Sequence, residues 1–257
     1  MPQYYAQPMG ISSATEYHLL PVSISATELA NYASRYPCLR CAWIKMHVKD
    51  LPYQSFPAIF STIDSFTKNS IKAYFDTHKK LPDWLSDLGE IHSFIKPPGW
   101  RKFFRIDDNT EVSVRGEADA IFKLNDGAYH IADYKTSKYN PERTYALDSY
   151  EVQLNAYAWI AELAGFSPVN KLSLIFMEPD NSRESVENVN SFSSQGLNLG
   201  FVARIVPVKR HPENLIPPLL EKVRAVYEMK TPPAPRGRCR ECRNLDNLIV
   251  RIATGID

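Results

Sequence analysis

Val114-Arg115-Gly116-Glu117-Ala118-Asp119 and His130-Ile131-Ala132-Asp133-Tyr134-Lys135, with Asn125-Asp126-Gly127 between them, decide how this chain folds. β-Branched and aromatic residues run up to the Asn-Asp-Gly turn signal and resume directly after it, the pattern of a β-hairpin. A three-residue loop with Gly127 in the left-handed conformation pairs Leu124 with Ala128. Stepping outward from that pair sets Asp119 opposite Asp133 and Glu117 opposite Lys135. Alternation then puts all four on one face, with directly opposed Cβ atoms about 4.5–5.5 Å apart. A two-residue loop would shift the register by one and send the two aspartates to opposite faces, so the inference hangs on the turn.

Two aspartates held this close repel unless a proton or cation sits between them, and a hard divalent ion such as Mg2+ or Mn2+ is the natural occupant. Such an ion polarises a phosphoryl oxygen and acidifies water, while Lys135, one alternation step from Asp133, stabilises developing charge or orients that water. The competing reading is a solvated face laced by Asp-Lys and Glu-Lys pairs. Downstream, the segment from about 142 to 164 has helical periodicity and stops at Gly165. It carries Gln153 and Tyr157, four apart and hence on one face, where they suit substrate contact or a surface Gln beside a half-buried Tyr.

The ordered set Gly116-x-x-Asp119, Asp133-Tyr134-Lys135 and Gln153-x-x-x-Tyr157 resembles the PD-(D/E)XK nuclease superfamily in its RecB-type branch. The resemblance implies that Asp119 and Asp133 bind the divalent metal, that the Tyr134 carbonyl is a further ligand, that Lys135 assists catalysis, and that Gln153 and Tyr157 lie beside the site. Ala118 stands where the first motif often has proline, and the second acid is Asp rather than Glu; neither change removes a ligand. RecB-type domains commonly carry a metal-binding histidine on a helix upstream of the first acid, and none stands there in this chain. The helix signal after Pro57, with Ile59, Phe60, Ile63 and Phe66 on a stripe continuing towards Tyr74 and Phe75, offers Asp64 in its place.

All four cysteines fall into two CxxC pairs, Cys38-Leu39-Arg40-Cys41 and Cys239-Arg240-Glu241-Cys242. With no signal peptide and no long apolar run, a cytoplasmic location is expected, where such pairs bind metal or do redox chemistry rather than form structural disulfides. Four thiolates complete the shell of a tetrahedral Zn2+ or of an iron–sulfur cluster, and joining distant chain segments would staple the fold. Iron–sulfur nucleases of the RecB type resemble this bracketing of the core, although their usual split is one cysteine before and three after; here it is two and two. A 4Fe-4S cluster is placed ahead of Zn2+, and independent redox pairs third. Arg35, Arg40, Arg236, Arg238, Arg240 and Arg243 around the pairs suit a nucleic-acid backbone, or form a solvated basic rim.

Length and composition agree with a compact enzyme: 257 residues with 44% hydrophobic content bury a sizeable core, and a net charge of +1 does not by itself argue for nucleic acid. Residues 1–22 lack periodicity and read as a flexible arm, leaving 23–257 as a single domain. Ser25-Ala26-Thr27-Glu28 has capping-box spacing and opens a helix through Ala33. A helical lobe over about 56–96 includes a second helical piece from Leu81 to Ile95, broken at Lys96-Pro97-Pro98-Gly99. The nuclease core spans about 100–210. Within it, Lys171 to Met177 reads as a buried strand reached by a helical crossover, 180–199 as a mobile loop and 201–208 as a strand. A helix from about 213 to 229 then leads through Pro232-Pro233-Ala234-Pro235 to the last cysteines, in a C-terminal segment of 211–257. The fold class is therefore α/β, a restriction-endonuclease-like core of mixed sheet flanked by helices, with an N-terminal helical lobe and a C-terminal cysteine staple. No glycine precedes a lysine, so no Walker A loop exists and any helicase is a separate partner.

The function expected from the resemblance is metal-dependent hydrolysis of DNA, by an exonuclease on single strands or duplex ends. DNA repair, CRISPR spacer acquisition and phage replication are contexts that fit, with a separate helicase or a CRISPR or recombination protein as a partner. The alternative is a non-catalytic nucleic-acid-binding module organised by the four-cysteine centre, with the acids in ion pairs.

Overall fold

The computed structural model describes residues 22–34, 37–48, 57–142 and 144–255, with the side chains of 144–146 excepted. The arm expected over 1–22 lies outside the described residues apart from Val22. In chain order the elements are β1 (Val22–Ser25), α1 (Ala26–Ala33), α2 (Leu39–His47), α3 (Ala58–His78), a 3-10 turn (Asp83–Leu88), β2 (Ile91–Ile95), β3 (Phe104–Ile106), β4 (Val112–Arg115), β5 (Ala120–Leu124) and β6 (Tyr129–Lys135). They continue with α4 (Thr144–Leu163), β7 (Val169–Pro179), α5 (Arg183–Glu187), β8 (Phe192–Ser193), β9 (Gly196–Leu197), β10 (Phe201–Val208), α6 (Pro212–Tyr227) and α7 (Arg240–Thr254).

The hairpin forms in the register that the three-residue loop requires. Ala120 pairs with Ala132, Ile121 with Ile131, Phe122 with His130 and Lys123 with Tyr129. Gly127 takes φ +87°, and the Leu124 N–H donates to the Ala128 carbonyl at 2.8 Å. The first of the two sequence stretches is not one strand, however. Val112–Arg115 pairs with β1 and β3 in a separate three-stranded sheet, and the chain crosses through Gly116–Asp119 into the main sheet. Glu117 is exposed on that crossing, beyond the β5–β6 ladder, so its expected place opposite Lys135 is not formed.

The main sheet has five strands in the order β10-β7-β6-β5-β2. β6 and β7 run parallel, joined by α4, and the other neighbours are antiparallel. β7 is buried over most of its length, as a strand covered on both faces must be. One face packs Ile121, Ile131, Leu172 and Leu174 under α1, α4, α6 and the small sheet. The opposite face packs Phe122, Ala132, Tyr134 and Ile175 under Ile71 and Phe75 of α3 and under Leu85 and Leu88 of the 3-10 turn.

Three expectations are corrected by the structure. Leu81 to Ile95 is not a helical piece: only a 3-10 turn forms, and Ile91–Ile95 is the edge strand of the main sheet, antiparallel to β5. On α3 only the far end of the apolar stripe, Phe75, faces the core; Ile59 and Phe66 are 59% and 73% exposed, and the buried residues are Thr67, Ile71 and Phe75. The helix is rolled so that Asp64, Thr67 and Lys68 face the body of the protein. The segment 180–199 carries α5 and the small β8–β9 ribbon rather than only loop. Among the described residues no helix is long and apolar enough to cross a membrane.

Candidate active site and cysteine centre

Asp119 sits where the chain enters β5, and Asp133, Tyr134 and Lys135 close the end of β6 beside it. The strand ladder stops at Ala120, but Asp119 extends it through its side chain: Oδ2 accepts the Tyr134 backbone N–H at 2.8 Å. Asp133 and Lys135 share the face of Ile131, under α4, as period-two alternation dictates. There Gln153 Nε2 donates to Asp133 Oδ1 at 3.2 Å and to the Tyr157 hydroxyl at 2.9 Å, while Gln153 Oε1 accepts from Lys135 Nζ at 3.0 Å. Lys135 Nζ also lies 2.5 Å from Asp133 Oδ2 and 4.2 Å from the centroid of the Tyr150 ring.

Gln153 and Tyr157, which the sequence places either at substrate or as a surface Gln beside a half-buried Tyr, are both buried, and their polar atoms turn towards Asp133, Lys135 and each other. Gly116 makes this possible: a Cβ at that position would lie 2.8 Å from Tyr157 Cδ1 and closer still to Cε1. The glycine of the Gly-x-x-Asp motif is thus the backbone surface on which the Tyr157 ring rests.

Lys68 is the residue that sequence reasoning missed. Its ammonium bridges Asp64 Oδ2 and Asp119 Oδ1, each at 2.6 Å. Burial opposes that charge, but Asp119 and then Asp64 outweigh it and hold Lys68 above the ordinary lysine range. The signal was present as Asp64-x-x-x-Lys68, an i,i+4 pair of a kind that is usually solvated. Asp64 therefore reaches the site only through Lys68, and among the described residues Asp64, Asp119 and Asp133 do not close into one ligand cluster.

Asp133 is 3% exposed. Burial, and next the like charge of Asp119, push its carboxyl up to about 6 against the pull of Lys135 and Lys68. Although Oδ2 touches Lys135, it has no hydrogen bond of acceptable geometry. Two crowded carboxylates, one buried with an incompletely satisfied oxygen, form a hard oxygen donor set that fits a divalent cation. On the reverse face, His130 is a core residue: Nδ1–H donates to the Leu88 carbonyl at 3.1 Å, and Nε2 accepts from the Ser173 hydroxyl at 2.9 Å.

The four cysteines converge, with their sulfurs all within 4.8 Å of one another and all four as free thiols. Cys38 is the N-cap of α2 and Cys239 the N-cap of α7, and each partner, Cys41 and Cys242, lies in the first turn. Burial opposes ionisation of Cys38, but the backbone N–H groups of Arg236 and Cys41 outweigh it and bring that thiol down to about 6. Burial and neighbouring sulfurs push Cys41 and Cys242 up. Four sulfurs gathered this closely fit a soft or borderline cation among them. Beside them Arg40 forks onto Asp246 at 2.8 and 2.5 Å. Of the basic residues expected here, Arg35 lies outside the described residues, and Arg236, Arg238, Arg240 and Arg243 are exposed.

Comparison with known proteins finds a family model described as "PD-(D/E)XK nuclease superfamily" that matches residues 63–244, more than half of the chain. That span includes Asp64 through Cys242 but not the first CxxC pair. A solved structure described as "Crystal structure of SSO0001" is 15% identical and covers 85% of this chain and 84% of its own, with a TM-score of 0.46. No curated protein matches the sequence.

Proposed function

The chain belongs to the PD-(D/E)XK nuclease superfamily, and from that membership we propose that it is a Mg2+- or Mn2+-dependent nuclease hydrolysing DNA phosphodiester bonds. Its mixed sheet flanked by helices is the restriction-endonuclease-like fold. The observation that carries the proposal is the meeting of Asp119, Asp133 and Lys135 at adjacent strand ends, with Gln153 and Tyr157 locked behind them. Exonuclease action on single strands or duplex ends, beside a separate helicase or recombination protein, rests on the likeness of these motifs to the RecB-type branch.

In this reading Asp119, Asp133 and the Tyr134 carbonyl would hold a divalent cation, and Asp64 could contribute only with Lys68 displaced from it. A divalent cation supplies Lewis-acid polarisation of a phosphoryl oxygen and acidification of water. Lys135, steadied by Gln153 Oε1 and the Tyr150 ring, presents its Nζ donors to the attacking water or to the phosphoryl oxygen on which charge grows. Gln153 holds Asp133 and Lys135 at fixed separation, and Tyr157 fixes Gln153. Water gives up a proton as its oxygen bonds to phosphorus and the ester P–O bond breaks, and the leaving oxygen takes up a proton, so none is gained or lost overall. The four-cysteine centre acts as a staple away from this chemistry.

One observation favours a second reading, a non-catalytic nucleic-acid-binding module: each aspartate already has a lysine partner, Lys68 for Asp119 and Lys135 for Asp133. Cleavage of end-labelled single- and double-stranded DNA by anaerobically purified protein, with Mg2+, Mn2+ or EDTA, separates the two. Metal-dependent cleavage that is lost in Lys135→Ala and Asp133→Ala is the expected result. Binding without cleavage in the wild type would establish the module instead.

A further inference from the structure

The four-cysteine centre is too compact for a cluster. A single tetrahedral ion with metal–sulfur bonds of about 2.3 Å places its four sulfurs about 3.8 Å apart. Four irons and their sulfides between the thiolates would spread the cysteine sulfurs to about 6 Å. Here Cys38 Sγ lies 3.5 Å from Cys242 Sγ, Cys41 Sγ lies 3.5 Å from Cys239 Sγ and 3.3 Å from Cys242 Sγ, and no pair exceeds 4.8 Å. A two-iron cluster would keep two sulfurs close on each iron and hold the two sets well apart, which that limit also excludes.

The arrangement around the sulfurs has the regularity of a built site. Both pairs are presented alike, one cysteine capping a helix and the other in its first turn, and the short contacts run between the pairs. Cys239 and Cys242 are buried, so the sulfurs are shielded from solvent on the α7 side.

The structure of α7 indicates what an ion among the four sulfurs would do. Among the described residues, Cys242 is its one buried side chain, and Ile249, Val250 and Ile252 are exposed. The facing helix α2 buries no residue fully and leans on the core through Leu39, Ala42, Trp43 and Met46. Beyond the sulfurs, the Arg40–Asp246 fork is a polar link between the two helices. Among the described residues, no apolar interface large enough to hold α7 in place covers it.

We propose that Cys38, Cys41, Cys239 and Cys242 bind one Zn2+, and that this ion is the latch that holds α7 against α2. The proposal does not depend on the nuclease reading, and an Asp133→Ala protein should keep its zinc. Elemental analysis of full-length protein purified anaerobically should give about one zinc per chain, no acid-labile sulfide and no visible charge-transfer absorption. Replacing zinc by Co2+ should give the intense visible bands of a tetrahedral tetrathiolate. Cys239→Ser should retain less than about one tenth of the zinc after dialysis against a chelator. Trypsin should cut the stripped wild-type protein at Arg243 and Arg251 at least about tenfold faster than the zinc-loaded protein, as local release of α7 requires. Iron at any stoichiometry, or anaerobic protein that contains no metal and takes up no Co2+, would overturn the assignment. Equal protection of α7 with and without zinc would overturn the latch.

Discussion

Gly116→Ala tests whether the Gly-x-x-Asp motif carries glycine for the sake of Tyr157. The backbone at Gly116 is not in the left-handed region, so alanine is conformationally allowed, and reduced freedom in the unfolded chain would stabilise the variant by about 0.4–1 kcal/mol. The added Cβ, however, would lie 2.8 Å from Tyr157 Cδ1. The ring cannot retreat freely. It is buried, packed near Phe103 with centroids 6.4 Å apart, and tied through its hydroxyl to Gln153. Overpacking of this kind costs about 1–3 kcal/mol, so the net loss should be about 1–2 kcal/mol, or a fall in Tm of roughly 2–8 °C for a domain of this size.

The discriminating measurement is a double-mutant cycle by chemical denaturation. In a Tyr157→Ala background the obstacle is gone, and adding Gly116→Ala should be neutral or stabilising by up to about 1 kcal/mol. Because displacement of Tyr157 also moves Gln153, and with it Lys135, the proposed nuclease reading has Gly116→Ala slow DNA cleavage while leaving DNA affinity little changed. Equal destabilisation in the two backgrounds would refute the reasoning and place the role of the glycine in the chain crossing itself.

Removing the ammonium that bridges Asp64 and Asp119 should expose the two acids to an incoming cation. Lys68→Met is therefore expected to tighten Mn2+ binding severalfold, by about 1 kcal/mol, in isothermal titration; weaker binding would show that Lys68 supports the site rather than competes for it. His130 gives a pH signature. Burial lowers its pKa to about 4, with Lys171 acting in the same direction, against an unfolded value of about 6.5. Between those values the unfolded chain binds the proton and the folded one does not. The contribution of His130 is therefore full above pH 6.5 and falls by about 3 kcal/mol as the pH drops to 4. Asp133, raised to about 6, has the opposite dependence, and comparing wild type with His130→Gln cancels it. Parallel stability profiles for the two proteins between pH 6.5 and 4 would sink this account.

The parts of the molecule legible in the sequence are those specified locally. Asn125-Asp126-Gly127 fixes the loop, the loop fixes the register, and the register brings Asp119 to the end of β6. Ser25 and Glu28 form the capping box that their spacing announces. Non-local pairing left no such trace: nothing in Val22–Ser25 signals a parallel partner at Val112–Arg115, far along the chain. Ile91, Phe94 and Ile95 have the i, i+3, i+4 spacing of a helix, yet five residues flanked by Gly89 and Pro97 are too short for one and complete the sheet instead. The α3 stripe misled for a related reason, because periodicity reports that a helix has an apolar face and not which face the rest of the protein covers. The same roll of the helix brings Lys68 to Asp119. Burial of Gln153 was equally illegible, since an isolated glutamine looks the same whether it meets substrate or locks a lysine.

The location of the acids follows from the mixed parity of the sheet. β6 is antiparallel to β5 and parallel to β7, so the end of β6 meets the beginning of β5 on one side and lies where the chain leaves towards α4. At that corner the ladder to β5 has run out, and the Tyr134 N–H finds a side-chain acceptor, Asp119, in place of a strand carbonyl. The crossing that supplies Asp119 must pass close to α4, and Gly116 and Ala118 are the small residues that allow it, one beneath the Tyr157 ring and the other buried in the core. Asp133 and Lys135 protrude at the same corner, on the face that α4 covers, where Gln153 is the first side chain able to bond both. The order of the motifs along the chain is therefore a consequence of geometry. A crossing into the sheet, a hairpin and a helical return put two acids, a lysine and an amide at one corner, and moving any of the three elements would separate them.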